Sequence, residues 1–230
     1  MADGGTLTLR ITDLIGSEYE AIADYSGDLI NAAINEIADM VSEDLLLKYS
    51  RTPGVLEANT EWLVENRKIL KVTRIDADSS GVERECIYLD RVAFSAAQDS
   101  NSLYYATVNS PVYHLDTAND GAATLKIMPV PTTPQKGKIW YFQYVADSTD
   151  SRAITQTLVN GTLYLPNDLI HAIALKSSIN ILQAYISNFV QDEEDSEMLQ
   201  MIQAQLQGLK AEFQQEIARF MDESGRPGAE

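Results

Sequence analysis

The side chains best suited to acid–base, nucleophilic or metal chemistry are few in this chain, which has two histidines and one cysteine. His114 lies in a strand-like stretch without a cysteine or second histidine nearby, which favours a hydrogen-bonded strand residue over a metal ligand. His171 follows Asp168 by about one helical turn, so this pair is expected to support the start of a helix. Cys86 lies beside Glu85 in a predicted strand, where the acid would raise the thiol pKa. A buried structural cysteine is therefore expected.

One acidic turn resembles the beginning of a calcium-binding loop. The segment DADSSG places Asp76, Asp78, Ser80 and Gly81 at the opening positions of that loop. The twelfth position requires a bidentate glutamate but holds Ile87, and the flanking segments are predicted strands rather than helices. A solvated hairpin turn is favoured, and a calcium-binding module using Asp76–Gly81 is an alternative from another functional class.

Signatures of common enzyme sites are absent from the sequence. It contains no G-x-S-x-G elbow, Walker loop, G-x-G-x-x-G fingerprint or H-E-x-x-H helix. The single cysteine excludes an internal disulfide framework, and two histidines offer little for a convergent catalytic pocket. The sequence therefore predicts no catalytic, cofactor or metal site and a protein that is not an enzyme.

Hydrophobic periodicity predicts a helical beginning, a strand-rich middle and a helical end. The beginning is expected to hold an amphipathic helix over residues 26–49, preceded by a shorter helix over 12–24. The segment 56–67 could add another short helix. Alternating patterns predict strands over residues 68–75, 84–89, 103–108, 112–115, 123–128 and 138–145. The hairpin signal Asn119-Asp120-Gly121 lies between two of these strands.

Two long helices are predicted after the strands. The first runs from Pro166 to about Val190 and is apolar on several sides, so it should be buried between other helices. The last carries one apolar stripe: Met198, Ile202, Leu206, Leu209, Phe213, Ile217 and Phe220. We expect the stripe from Met198 to Phe213 to pack inside the protein, and Ile217, Phe220 and Met221 to reach a partner.

These elements predict an α+β fold, in which both ends of the chain build a helical bundle and an antiparallel β unit is inserted between them. The predicted parts are an N-terminal helical part (1–66), an inserted β-rich domain (67–152), a C-terminal helical part (153–222) and a flexible tail (223–230).

The charge follows the same division. The chain holds 17 Lys and Arg against 34 Asp and Glu, a formal net charge of −17, which excludes a broad basic surface for nucleic acid. Residues 1–46 contain ten acids and one base, and residues 153–230 contain eleven acids and four bases, whereas residues 67–152 contain ten of each. Acidic helix faces of this kind keep a protein soluble.

Segments that would address the chain to a membrane are not evident. No apolar run approaches the ~18 residues of a membrane span, and the first residues lack the apolar stretch of a signal peptide. The sequence predicts an acidic protein made in a cytoplasm, with no membrane partner.

Three short runs of sequence resemble a known family. They are LKIMPVP (125–131), GKIWY (137–141) and LPNDLIHAI (165–173), in an order of acidic helices, strands and paired helices. In this order the chain resembles the head-to-tail connector adaptor proteins of tailed bacteriophages, over roughly residues 26–222. Many such adaptors are almost wholly helical, so the inserted strands depart from the family pattern.

The resemblance implies a structural virion protein, assembled in the host cytoplasm. Copies of the chain would form a ring, expected to be a dodecamer, beneath the portal protein and above the next neck or tail protein. Genomic DNA would pass through the ring without specific binding. The residues implied for portal docking are Ile217, Phe220, Met221, Asp222, Arg226 and Glu230. The acids expected to face the channel are Glu36, Asp39, Glu43, Glu212 and Glu216. A neck stopper or a tail-completion (terminator) protein, in which the β unit is the working part, is the alternative.

Overall fold

A computed structural model describes residues 4–16, 23–49, 54–56, 62–64, 67–75, 81–117, 123–131, 137–144, 169–189 and 196–224. The chain divides into two compact units. A helical unit comprises Met1–Tyr49 together with Tyr144–Glu230, and a β unit comprises Ser50–Gln143. The α+β fold class predicted from the sequence is confirmed.

The helical unit is organised around one buried helix. Its described helices are α1 (Gly4–Ile15), α2 (Ala23–Met40), α3 (Glu43–Tyr49), α5 (Ile170–Phe189) and α6 (Ser196–Ser224). Helix α5 packs against α1, α2 and α6, as its apolar residues on several sides predict. Ala172, Ala174 and Leu175 on this helix are fully buried.

Glycine and serine set two helix boundaries that periodicity alone placed differently. Helix α1 ends at Ile15, and the next residue, Gly16, has a φ of +88° and donates its N–H to the Thr12 carbonyl at 2.7 Å. The helix predicted to begin at residue 12 therefore begins at Gly4, and residues 17–22 of the predicted segment lie outside the described residues. The helix predicted over 26–49 is broken near Ser42, whose hydroxyl accepts from the Leu45 N–H at 3.3 Å and caps α3.

The β unit contains two four-stranded sheets. Its strands are β1 (Gly54–Leu56), β2 (Trp62–Leu63), β3 (Arg67–Ile75), β4 (Glu83–Glu85), β5 (Ile87–Tyr88), β6 (Val112–Thr117), β7 (Ala123–Met128) and β8 (Gly137–Gln143). One sheet has the order β1-β8-β3-β4 and the other β2-β7-β6-β5. All described pairings are antiparallel except that of β5 with β6, which is parallel.

One hydrophobic core serves both sheets. Val72 and Ile139 come from the first sheet, whereas Leu125 and Ile127 come from the second. Cys86 separates β4 from β5, where the chain passes from one sheet to the other, and it belongs to the same core. The β unit is therefore built by two sheets that face each other across shared apolar side chains.

A short helix that periodicity did not predict connects the parallel strands β5 and β6. Helix α4 (Arg91–Ala96) begins after Asp90, whose carboxylate accepts from the Ala93 N–H at 2.8 Å. A parallel pair needs a crossover rather than a tight turn, and α4 is part of that crossover. Phe94, Ala97, Ala106 and Val112 form a small core beneath it.

We expect Asp90→Ala to lower the stability of the β unit by about 1 kcal/mol, because the N-cap acceptor of α4 is lost. Both tryptophans of the chain, Trp62 and Trp140, lie in the β unit, so urea unfolding followed by tryptophan fluorescence reports on this unit. The matched control Asp90→Asn keeps a capping oxygen and should unfold close to the unsubstituted protein. Equal losses in both variants would contradict a capping role.

Two further segments differ from the sequence prediction. The predicted strand 103–108 is a series of turns, because Asp99 and Ser102 accept hydrogen bonds from the N–H groups of Asn101 and Tyr104. The predicted boundary at 66/67 lies within the β unit, which begins at Ser50. The described residues of the segment 56–67, considered as a helix, instead include the last residue of β1, the whole of β2 and the first residue of β3.

Candidate functional site

The two histidines have structural partners. His114 is buried, with Nδ1 2.9 Å from the Leu89 carbonyl oxygen and its ring stacked on Phe94 at 5.3 Å. Because a carbonyl can only accept, Nδ1 carries the hydrogen, and His114 is the hydrogen-bonded strand residue that was predicted. His171 was paired with Asp168 by sequence, but Asp168 lies outside the described residues. The His171 Nε2 atom is 3.2 Å from Glu212 Oε1 instead.

The cysteine is buried, as expected. Burial raises the pKa of the Cys86 thiol to about 12, with Arg74 opposing and Glu85 adding to the rise. A thiol with that pKa has almost no thiolate near neutrality and is a poor nucleophile or metal ligand.

The calcium alternative falls largely outside the described residues, since Asp76, Asp78 and Ser80 are not among them. Gly81 is described and has a φ of +79°, which suits a tight turn. Ile87, at the position of the required glutamate, lies in β5 with an exposed side chain. Within the described ranges, no three His, Cys, Asp or Glu side chains come together in a way that could hold a metal ion.

Most of the acids predicted to face a channel have partners within the helical unit. Glu36 Oε2 on α2 is 2.5 Å from Lys176 Nζ on α5. Glu212 on α6 contacts His171, also on α5, and Glu216 lies 3.9 Å from Arg219. Helix α5 therefore supplies partners to acids on α2 and α6, and the charges of Glu36 and Glu216 are offset by Lys176 and Arg219.

The remaining two predicted channel acids differ from each other. Glu43 is exposed in the first turn of α3. A negative charge there stabilises the helix by interacting favourably with the helix dipole. Asp39 is exposed at the end of α2, and its Oδ1 accepts a 2.6 Å hydrogen bond from the Tyr144 hydroxyl. Burial, then the hydrogen bond and charge of Asp39, raise the pKa of Tyr144 to about 12.

We expect Asp39→Asn to lower the pKa of Tyr144 from about 12 towards its ordinary value near 10, because the negative charge beside the phenol is removed. Because the pKa of Tyr144 is raised in the folded state, the protonated phenol stabilises the folded protein. This contribution to stability is complete below pH ~10 and is lost as the pH rises through ~12. An ultraviolet titration of the tyrosinates checks this, with Tyr144→Phe identifying the signal. Glu43→Gln is the matched control, and an equal shift in it would contradict the assignment.

The residues predicted for portal docking separate into three groups. Ile217 and Phe220 are buried on the inward face of α6, so the expectation that they reach a partner does not agree with their packing. Met221 is exposed on the same helix. Asp222 lies in α6 but its side chain is not described, and Arg226 and Glu230 lie outside the described residues. Of the stripe predicted to pack inside, Ile202, Leu206 and Leu209 are buried.

Several large apolar side chains of the β unit are exposed to solvent, which was not predicted. Leu103 and Tyr104 project from the turns after α4, and Val92 on α4 and Ile87 and Tyr88 on β5 are also exposed. We call these five residues the apolar tip. The turn formers around Leu-Tyr-Tyr, from Asp99 to Ser102, were the available sequence signal, because they place large side chains on a loop rather than in a strand.

The comparisons with known proteins give no relative: no family model, no curated protein and no solved structure matches the chain. Among the described helices, none combines the length and apolar character needed to cross a bilayer.

Proposed function

We propose that the chain is a structural virion protein, a head-to-tail connector adaptor that forms a ring beneath a phage portal and extends the DNA channel. Portal protein, the next neck or tail protein and further copies of the chain are its partners, and DNA passes without specific binding. The proposal rests on the sequence runs that resemble this family and on the placement of charge in the two units.

The charge placement is the observation that carries the proposal. The β unit, Ser50–Gln143, contains eleven acids and ten bases, or −1, which leaves 23 acids and seven bases, or −16, in the helical unit. A wall of net negative charge does not neutralise phosphates and so does not hold DNA by counterion release. The near-neutral β unit is the part suited to protein contacts. Because Glu36 contacts Lys176 and Glu212 contacts His171, the net negative charge is a property of the whole helical unit and not of these two acids.

Mixing the full chain with the portal protein of the same phage tests the proposal. An adaptor should co-elute with portal in the absence of tail proteins and add a closed ring visible by electron microscopy. Deletion of residues 222–230 should abolish this binding. Failure to bind portal would contradict the adaptor function. Binding that is unchanged by the deletion would contradict the assignment of residues 222–230 to docking.

Met221 and Met201 provide a matched pair of variants for testing the docking surface. Both are exposed on α6, but only Met221 lies at the predicted docking end. We expect Met221→Ala to weaken portal binding by about fivefold or more, a typical effect of truncating an interface side chain, and Met201→Ala to leave it unchanged. Equal effects of the two substitutions would remove Met221 from the interface.

A stopper or tail-completion protein is the second candidate, and the apolar tip favours it. An exposed group of large apolar side chains on the β unit suits contact with a partner protein. In that case Leu103→Ser with Tyr104→Ser should abolish binding to the tail proteins while portal binding is absent from the start. The two candidates are therefore distinguished by the partner that the chain binds: an adaptor binds portal without tail proteins, and a stopper or tail-completion protein binds tail proteins without portal.

A calcium-binding module is the alternative from another class. It requires heat on calcium titration of the full chain and a rise in melting temperature. Neither is expected for a solvated hairpin turn, and the presence of both would replace the structural proposal for this segment.

A further inference from the structure

Two arginines occupy neighbouring positions on the inner face of the first sheet. Arg74 on β3 is directly opposite Arg84 on β4. Arg74 is two residues after Val72 and Arg84 two residues before Cys86, and both of these apolar residues belong to the shared core. Because side chains alternate along a strand, the two arginines point to the core side of the sheet.

Arg74 is buried and Arg84 is partly buried, and neither contacts a carboxylate of the described residues. Arg74 is only 5% exposed, and its Nε donates to the Pro129 carbonyl at 3.0 Å. The Arg84 Nε atom is buried and has no hydrogen-bond acceptor. Within the described part of the chain, no acid forms an ion pair with either arginine.

The acids beside Arg84 in the sequence are engaged on the opposite face. Glu83 accepts from Thr73 and Lys138, at 2.7 and 2.8 Å, and Glu85 lies 3.2 Å from Lys71. On the outer face, both glutamates of β4 are therefore paired with lysines, Glu85 with Lys71 of β3 and Glu83 with Lys138 of β8. The inner face at the same level carries two positive charges.

Like charges directly opposite each other destabilise a sheet, and buried charges in proteins are normally paired. The next position along this level of the sheet is Gly137 on β8, which is opposite Arg74 and has no side chain. Arg84 is only partly buried, so the pair can be approached from solvent. Two guanidinium groups, one of them with an unused buried donor, match the geometry that oxyanions take up on arginine.

We propose that Arg74 and Arg84 form a binding site for a single compact oxyanion. The anion accepts hydrogen bonds from both guanidinium groups and neutralises the charge that the described residues leave unpaired. The burial of Arg74 limits the ligand to a small group, a free phosphate or one carboxylate of a partner chain, and excludes the backbone of duplex DNA. The site is independent of ring assembly and of the portal.

Thermal unfolding of the full chain, followed by tryptophan fluorescence, tests the site. Phosphate and acetate are compared with chloride at equal ionic strength. A ligand that binds only the folded protein raises the melting temperature with its concentration. We expect such a rise with at least one of the two anions. A larger rise with phosphate indicates a free phosphate as the ligand, and a larger rise with acetate indicates a carboxylate.

Arg84→Gln should abolish this rise, and Arg91→Gln, an exposed arginine of the same unit, should retain it. In chloride alone, Arg84→Gln should be no less stable than the unsubstituted protein, because one of two like charges is removed. By titration calorimetry the anion affinity should fall roughly tenfold or more, the loss of one charge-assisted hydrogen bond. If neither anion stabilises the protein beyond chloride, or Arg84→Gln and Arg91→Gln respond alike, the proposal is wrong.

Discussion

Replacing Leu175 with alanine is expected to lower the stability of the helical unit by about 2–5 kcal/mol, the range for deleting a fully buried leucine. Leu175 is 0% exposed on α5, the helix against which α1, α2 and α6 all pack. The void left by the substitution would therefore lie among several helices, and the surrounding side chains could close it only in part.

Circular dichroism in the far ultraviolet follows this unit, because the long helices lie in it and the tryptophans do not. The control is Leu9→Ala on α1, where the side chain is 65% exposed. Its effect should stay within about 0.5 kcal/mol, as for most surface substitutions. Comparable losses in the two variants would mean that α5 does not form the centre of this unit.

Ile139→Ala is expected to cost the β unit a similar amount, about 2–5 kcal/mol. Ile139 on β8 is 0% exposed and packs with Val72 from its own sheet and Leu125 and Ile127 from the other. Truncating it removes contacts to both sheets at once, because these four side chains fill one shared core.

The loss should be seen in the urea transition of tryptophan fluorescence. Ile139→Val, which removes one methylene, should cost about 0.5–1.5 kcal/mol. Ile87→Ala provides the exposed control, since Ile87 is 58% exposed on β5, and we expect less than about 1 kcal/mol there. A graded series at position 139 with little change at position 87 supports one core between the sheets. A flat series at position 139 would contradict it.

Sequence periodicity predicted the long elements of the fold well, because they repeat one pattern over many residues. The apolar sides of α5 and the stripe of α6 indicated buried helices, and the alternation of β3, β7 and β8 indicated strands. The parallel pairing of β5 with β6 was not predictable, since it depends on a crossover between segments about 25 residues apart.

Short and surface features were missed for physical reasons. Helix α4 has six residues, too few to show a helical period, and its one sequence signal is the cap Asp90. Tyr104 and Tyr105 favour strands by propensity, but the turns made by Asp99 and Ser102 override that preference. The arginine pair depends on the β3–β4 register, which brings together two residues ten apart in the chain.

Charge at the predicted site was only partly predictable. The sequence indicated where acids accumulate, but not that Lys176 and His171, both on α5, contact acids on α2 and α6. A helix count cannot assign such pairs, because they depend on how the helices are rotated about their axes. The same limit applies to Ile217 and Phe220, which lie on the packed side of α6 rather than the free side.

The pairing of β1 with β8 has a consequence for the order in which the chain folds. Gly54, near the start of the β unit, is opposite Ile139, four residues before its end. The β unit is one continuous stretch and can fold during synthesis, whereas α1 and α2 must wait for α5, which leaves the ribosome after the β unit. Before the β unit folds, its residues form a long loop between the two halves of the helical unit. Once it has folded, the pairing of β1 with β8 holds the two ends of this stretch close together. The entropy lost in bringing the two halves of the helical unit together is then smaller.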